Sequence, residues 1–405
     1  MIIKDVQLAR ADDATVLSAR CKVRKIGWDT IYFSVSDAAQ GSYIFNDASP
    51  FAAALLLPSM MQGEDLIIKG SIPQQLYKGM HAVMHEVLHW HIGLKAVDIV
   101  VDALTADTQQ PDRTASFFSG GVDSFYTYLK HRADPANYGR IDSLILVNGF
   151  DVDRRSDMQL WNRTLKNIRA IAAAENVELV VVKTNIRELV VPILSWDYGH
   201  GGCLGAVGLS LRNAFRQIYI PSTHSVEEQI PWGSSLALDG HWSTESVTFV
   251  HDGTEATRVD KVISQIAKSP LALEHLRVCY QNENGAYNCG RCDKCLRTMI
   301  NLYIAGALDK SGTFPHNIDL DLVVAVTTIA NEHDNIFHKE NLQALRERNL
   351  APDLQRAIVT HPKNTATAKA DLATSIRERM IYLDHMYASG YAYSAWNRLT
   401  GGRLS

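Results

Sequence analysis

The sequence predicts an α/β protein: a doubly wound parallel sheet in the middle of the chain, an α+β region before it and a helical region after it. Three observations carry this. Between residues 116 and 220, uninterrupted apolar runs alternate with amphipathic stretches of helical period, the pattern of strands buried on both faces and of the helices that cover them. Two adjacent glycines, Gly120 and Gly121, stand where one such run ends and a helical pattern begins. Four of the six cysteines crowd into residues 279–295, far denser than ordinary cysteine usage.

At 405 residues the chain is long for one core, and the texture divides it at 1–110, 111–310 and 311–405. A hydrophobic fraction of 46% with 21% charged residues is that of a globular protein, and a net charge of −4 argues against a broad electrostatic footprint for nucleic acid. Lys4, Asp5 and Arg10 interrupt the start of the chain, which therefore lacks the apolar stretch of a secretory leader. The longest apolar run, Phe51 to Met61, is broken by Pro58 and Ser59 and is too short to span a bilayer. These features predict a cytoplasmic protein with no membrane partner, and clustered cysteines suit metal binding in a reducing compartment.

In the first region, Leu17–Val23 and Thr30–Val35 read as strands, Pro50–Met61 and Gln74–Leu94 as helices, and Val97–Val101 as a strand. Polar residues from Thr105 to Thr114, with Pro111 among them, read as a linker. Then come a strand ending at Phe117, a helix near Ser124–His131, a strand at Ser143–Val147, a helix at Asp157–Glu175, a strand at Val177–Val182, a helix at Leu204–Phe215 and a strand at Gln217–Ile220. In such a sheet ligands sit beyond the carboxyl ends of the strands, where Ser119, Asn148, Asp151, Thr184 and Ser222 to His224 fall. The turn-rich Pro231–Thr244, with two tryptophans, suits the wall of a site for a flat heterocycle. From Asp319 to Leu399 helical periodicity prevails, including Leu320–Asn331, Lys339–Arg348 and Ala370–Ser389, with breaks at Pro352 and Pro362. This tail suits a dimerisation or recognition module as well as a helical layer on the sheet.

The segment Ser119-Gly120-Gly121-Val122-Asp123-Ser124 is the centre of the functional reading. Without Cβ atoms, Gly120 and Gly121 can turn successive N–H groups into one concavity at the positive end of the following helix, a seat for phosphate. Ser119 and Ser124 add hydroxyls. Asp123 would repel a bare phosphate and makes sense beside magnesium or as a helix cap. This hexapeptide resembles the pyrophosphate loop of the N-type ATP pyrophosphatases, and no Gly-Lys-Ser/Thr of the kinase type follows. The resemblance implies an adenine-nucleotide α-hydrolase-like sheet, ATP and magnesium as cofactors, and an adenylated intermediate on an acid oxygen of the substrate with loss of pyrophosphate. Thr257-Arg258-Val259-Asp260-Lys261 opens a helix with a capping-box-like pattern that sets Arg258 and Lys261 on one face. A similar basic helix start faces the phosphates in that family, which makes Asp123, Arg258 and Lys261 the candidate catalytic set.

Cys279, Cys289, Cys292 and Cys295 have nine, two and two residues between them, a spacing that closes a four-thiolate zinc site or, alternatively, holds an iron–sulfur cluster. Cys279-Tyr280 followed by Cys289-Gly290, Cys292, Cys295 and Leu296-Arg297, about 155 residues after the loop, is similar to the 7-cyano-7-deazaguanine synthases. That resemblance covers about residues 114–306. It implies adenylation of 7-carboxy-7-deazaguanine or a related acid, attack by ammonia or another amine to give an amide, and, where ammonia is the amine, dehydration of that amide to a nitrile with a second ATP. The added N-terminal and C-terminal regions leave room for a relative that attaches a deazaguanine group to a protein or nucleic acid. A non-catalytic zinc-containing module that binds nucleic acid or a partner is the alternative of another class. A third pattern, His85-Glu86-Val87-Leu88-His89, has the spacing of a zinc-protease helix with Glu86 as base, but no third ligand follows in the usual register.

Overall fold

A computed structural model describes residues 1–11, 13–23, 27–36, 40–150, 158–228, 230–282, 285–329 and 332–360. The strands are β1 (Ile2–Ala11), β2 (Ala14–Val23), β3 (Gly27–Val35), β4 (Leu66–Pro73), β5 (Ile99–Thr105), β6 (Arg113–Phe117), β7 (Ser143–Asn148), β8 (Glu178–Thr184), β9 (Phe215–Pro221) and β10 (Thr248–Asp252). They form one ten-stranded sheet in the order β10-β9-β6-β7-β8-β3-β2-β1-β4-β5. Pairing is parallel from β10 through β8 and again from β1 through β4 to β5, and antiparallel at β8/β3, β3/β2 and β2/β1.

The helices are α1 (Ser49–Gln62), α2 (Gln74–Leu88), α3 (Val122–Ala133), α4 (Pro135–Tyr138), α5 (Met158–Glu175), α6 (Ile186–Val190), α7 (Trp196–Ser210), α8 (Arg258–Ser264), α9 (Pro270–His275), α10 (Asp293–Ile304), α11 (Leu320–Ile329), α12 (Glu332–Glu347) and α13 (Pro352–Val359). Alternation along the strands sends side chains to two cores. Ala115, Phe117, Ile145, Val180 and Val182 join the core beneath α1 and α7, whereas Leu144 and Leu146 join the core beneath α3 and α5. A third cluster gathers Val259, Ile300, Val323, Leu345 and Leu354 from α8, α10, α11, α12 and α13. No helix among the described residues is long and apolar enough to cross a membrane.

The region 1–110 extends the central sheet, through Phe33↔Thr184 and Val35↔Val182 pairing of β3 with β8. A buried ion network ties the two regions a second time. The Arg212 guanidinium lies 2.6 Å from Asp47 Oδ2 and 3.2 Å from Asp107 Oδ2, and Thr244 donates to the same Asp107 oxygen at 2.7 Å.

Several boundaries differ from the sequence reading. The helix expected at Leu204–Phe215 is α7, which starts at Trp196, while Phe215 opens β9. Gly199, Gly201, Gly202 and Gly205 disguise it, and the structure shows why they are there: a Cβ on Gly201 would stand 1.8 Å from the Gly233 carbonyl oxygen, and one on Gly205 2.8 Å from the Trp242 ring. Backbone contact outweighs helix propensity here. Helix α2 stops at Leu88 rather than Leu94, and α1 runs through Pro58. The supposed linker is partly strand, since β5 extends to Thr105 and β6 starts at Arg113. Asp151, Asp157, Pro362 and Ala370–Ser389 lie outside the described residues.

Candidate anion site and metal centre

Chain order reverses between β6 and β9: β7 and β8 follow on one side of β6, β9 and β10 on the other. Such a switch point opens a crevice beyond the carboxyl ends of the two strands. Ser119 to Gly121 leave β6 there, and Ser222 to His224 leave β9. Gly120 has φ +78°, a conformation that favours glycine, and its carbonyl accepts from the Arg277 amide at 2.8 Å. Gly121 caps α3 in an extended conformation. Val122 is buried in the core beneath α3, and the Ser124 hydroxyl donates to the Gly121 carbonyl at 3.0 Å, so it braces the turn. Ser119 is exposed.

The three candidate catalytic residues meet. Arg258 Nη2 lies 2.8 Å and Lys261 Nζ 3.5 Å from the Asp123 carboxylate. Thr257 caps α8, accepting from the Asp260 amide at 3.2 Å, which starts the helix so that Arg258 and Lys261 turn inward, both buried rather than solvated. Lys261 is fully buried and donates to the Ser222 carbonyl at 2.6 Å, joining α8 to the end of β9. Burial pushes its ammonium below the usual lysine range, against the pull of Asp123. His224 is held neutral, its pKa pushed down to about 4 by burial and then by the Arg258 charge. Buried Asn148 ends β7, and the Thr184 hydroxyl accepts from the Ile186 amide at 3.2 Å.

The two tryptophans of 231–244 divide. Trp242 is buried on Gly205 and belongs to the core, so it is no wall of a site. Trp232 is half-buried, with ring centroids 5.4 Å from His200 and 5.8 Å from His224, next to the candidate anion site.

The sequence reading missed Phe337 and Glu340 of α12 and gave Arg297 no role beyond its motif. The guanidinium groups of Arg258 and Arg297 both lie over the Phe337 ring, 5.0 and 4.1 Å from its centre. Glu340 accepts from the Arg258 amide at 3.2 Å, and burial, with Glu228 beside it, pushes its carboxyl up. Arg297, two residues after Cys295, carried a sequence signal; Phe337 carried none.

The four cysteines are free thiols whose sulfurs all lie within 4.8 Å of one another. Cys279–Cys292 and Cys289–Cys295 are both 3.9 Å apart, close to the ~3.8 Å that tetrahedral Zn–S bonds require. Amides of Asn282, Arg291 and Cys292 point at sulfur at 3.1 to 3.4 Å, donors suited to thiolates. The turn needs Gly290: φ is +69° and a Cβ would meet Pro315 Cγ at 2.7 Å. Without a cation the thiols compete. Hydrogen bonds from Cys292 and Cys295 hold Cys279 down, while the bond to Cys279 pushes Cys292 up to about 12. A divalent ion removes that conflict, so the residues fit one. His85 and His89, by contrast, are exposed with rings 5.2 Å apart, and the only metal-ligand cluster among the described residues is that of the cysteines.

Fold and site together define an α/β protein with a large, mostly parallel sheet and a four-cysteine centre able to hold a metal ion such as zinc. Compared with known proteins, the chain matches no family model, no curated protein and no solved structure.

Proposed function

We propose that the chain is an ATP-dependent ligase of the doubly wound, pyrophosphate-loop type. It adenylates a carboxylate, 7-carboxy-7-deazaguanine or a related acid, with release of pyrophosphate, and ammonia or another amine displaces AMP. The observation that carries this is the Gly120–Gly121 turn at the switch point, followed two residues later by a carboxylate that pairs with two buried cations. Amides of the turn and the α3 N-terminus hold the departing pyrophosphate, and Arg258 with Lys261 balances the charge that builds on it. A phosphate group would take over both cations from Asp123, freeing that carboxylate for magnesium, which binds through one or two carboxylates plus phosphate oxygens. The chain supplies no nucleophile in this scheme: the acid oxygen attacks the α-phosphorus, the amine attacks the acyl carbon, and AMP leaves with the electron pair of the broken C–O bond. Positioning and electrostatics carry the rate. Zinc at the four cysteines is structural, since four protein ligands leave no open position.

Product analysis by mass spectrometry tests this. With ATP, magnesium, ammonia and 7-carboxy-7-deazaguanine the reading expects AMP, pyrophosphate and the amide, or the nitrile where a second ATP adenylates the amide oxygen and a second AMP carries it away. AMP formed only with other acids would replace the substrate, and no AMP with any acid would overturn the reading in favour of a binding module.

A further inference from the structure

We infer that α12, from the C-terminal helical region, is a working part of the anion site, with Phe337 the positioning residue that holds Arg258 in place. The inference rests on the phosphate-site reading above and goes beyond it by assigning a role to the added helical region. Phe337 is almost fully buried, with both guanidinium groups against its ring, Arg297 at 4.1 Å and Arg258 at 5.0 Å, and with His224 stacked at 5.5 Å and 23°. A guanidinium over an aromatic face is held by the ring quadrupole, and more strongly where water is excluded. The same helix grips both arginines elsewhere. Glu340 accepts from the backbone amide of Arg258, and His338 lies 2.7 Å from Asp293, whose other oxygen is 3.1 Å from Arg297. Arg258 in turn reaches Asp123 at the start of α3. The ring thus joins α8 and α10 across the site, and a long cation that would otherwise sample many rotamers is pre-organised for an anion.

The test is calorimetric binding of inorganic pyrophosphate. Phe337→Met conserves volume and removes the aromatic face, and Phe337→Tyr restores the face. Phe337→Met should weaken binding about tenfold and Phe337→Tyr should stay within about twofold of the unaltered chain. Because Phe337 acts through Arg258, adding Phe337→Met to Arg258→Ala should cost nothing further. Equal binding by Phe337→Met and the unaltered chain, or full additivity with Arg258→Ala, would overturn the inference and leave the phosphate site standing. No binding by the unaltered chain would overturn both. A second measurement needs no variant: pyrophosphate should slow amide exchange in α12 as well as at Ser119–Ser124, and unchanged exchange in α12 would overturn the inference.

Discussion

Asp123→Asn separates the observed role of the carboxylate, pairing with Arg258 and Lys261, from its proposed role in holding magnesium. At 2.8 and 3.5 Å, and an effective dielectric near 20, each pair has a gross attraction of roughly 5 to 6 kcal/mol. Breaking a buried pair from one side costs about 3–5 kcal/mol net. Asp123 is only partly buried, asparagine still accepts a hydrogen bond from Arg258, and Lys261 can shed the proton that burial already loosens. The loss of folding stability should therefore be about 2–3 kcal/mol at pH 7, below most of that range. Urea unfolding measures it. Pyrophosphate should respond in the opposite sense: in EDTA the anion no longer displaces a carboxylate, and its affinity should rise at least about tenfold, a gain of about 1.4 kcal/mol. Magnesium should then add little, whereas it should strengthen binding to the unaltered chain. A variant as stable as the parent, or one that binds pyrophosphate more weakly without magnesium, would refute this account of the site.

Other expectations follow from the same geometry. Arg212→Met leaves Asp47 and Asp107 without their buried cation and should cost about 3–5 kcal/mol, read as a lower urea midpoint; an unchanged midpoint would mean the network does not tie the regions together. Cys292→Ser should lose the metal ion that the four cysteines would hold, detected by elemental analysis, while His85→Ala and Glu86→Gln should leave the metal content unchanged. His224, its pKa lowered from 6.5 to about 4 in the folded chain, refuses a proton that the unfolded chain accepts. Its effect on stability is absent above pH 6.5 and grows as pH falls toward 4, a loss of about 2 kcal/mol between pH 7 and pH 5. His224→Gln should flatten that part of the stability–pH curve, and an unaltered slope would exclude His224 as its source.

What could be read from the sequence was local. Apolar runs such as Val177–Val182 and the Gly120–Gly121 turn announce themselves because burial on both faces and a positive φ each demand a residue type. Capping by Thr257 was equally visible, and it is what turns Arg258 and Lys261 inward. The cysteine spacing named the four thiols that the fold gathers. Long-range packing left no such trace. Glycines that make α7 look unlike a helix are there for Gly233 and Trp242, distant in sequence. Nothing along β3 says that it will pair with β8, and nothing in α12 says that Phe337 will meet Arg258. Trp242 was read as a ligand wall because a buried tryptophan and a ligand-facing one have the same letter, and only the three-dimensional neighbours of Trp232 and Trp242 tell them apart.

The central claim is that an acid oxygen attacks the α-phosphorus of ATP. Turnover with the acid labelled with oxygen-18 in its carboxylate tests it most directly. The account predicts that one labelled oxygen appears in the phosphate of AMP. AMP without the label, or ADP in its place, would contradict it.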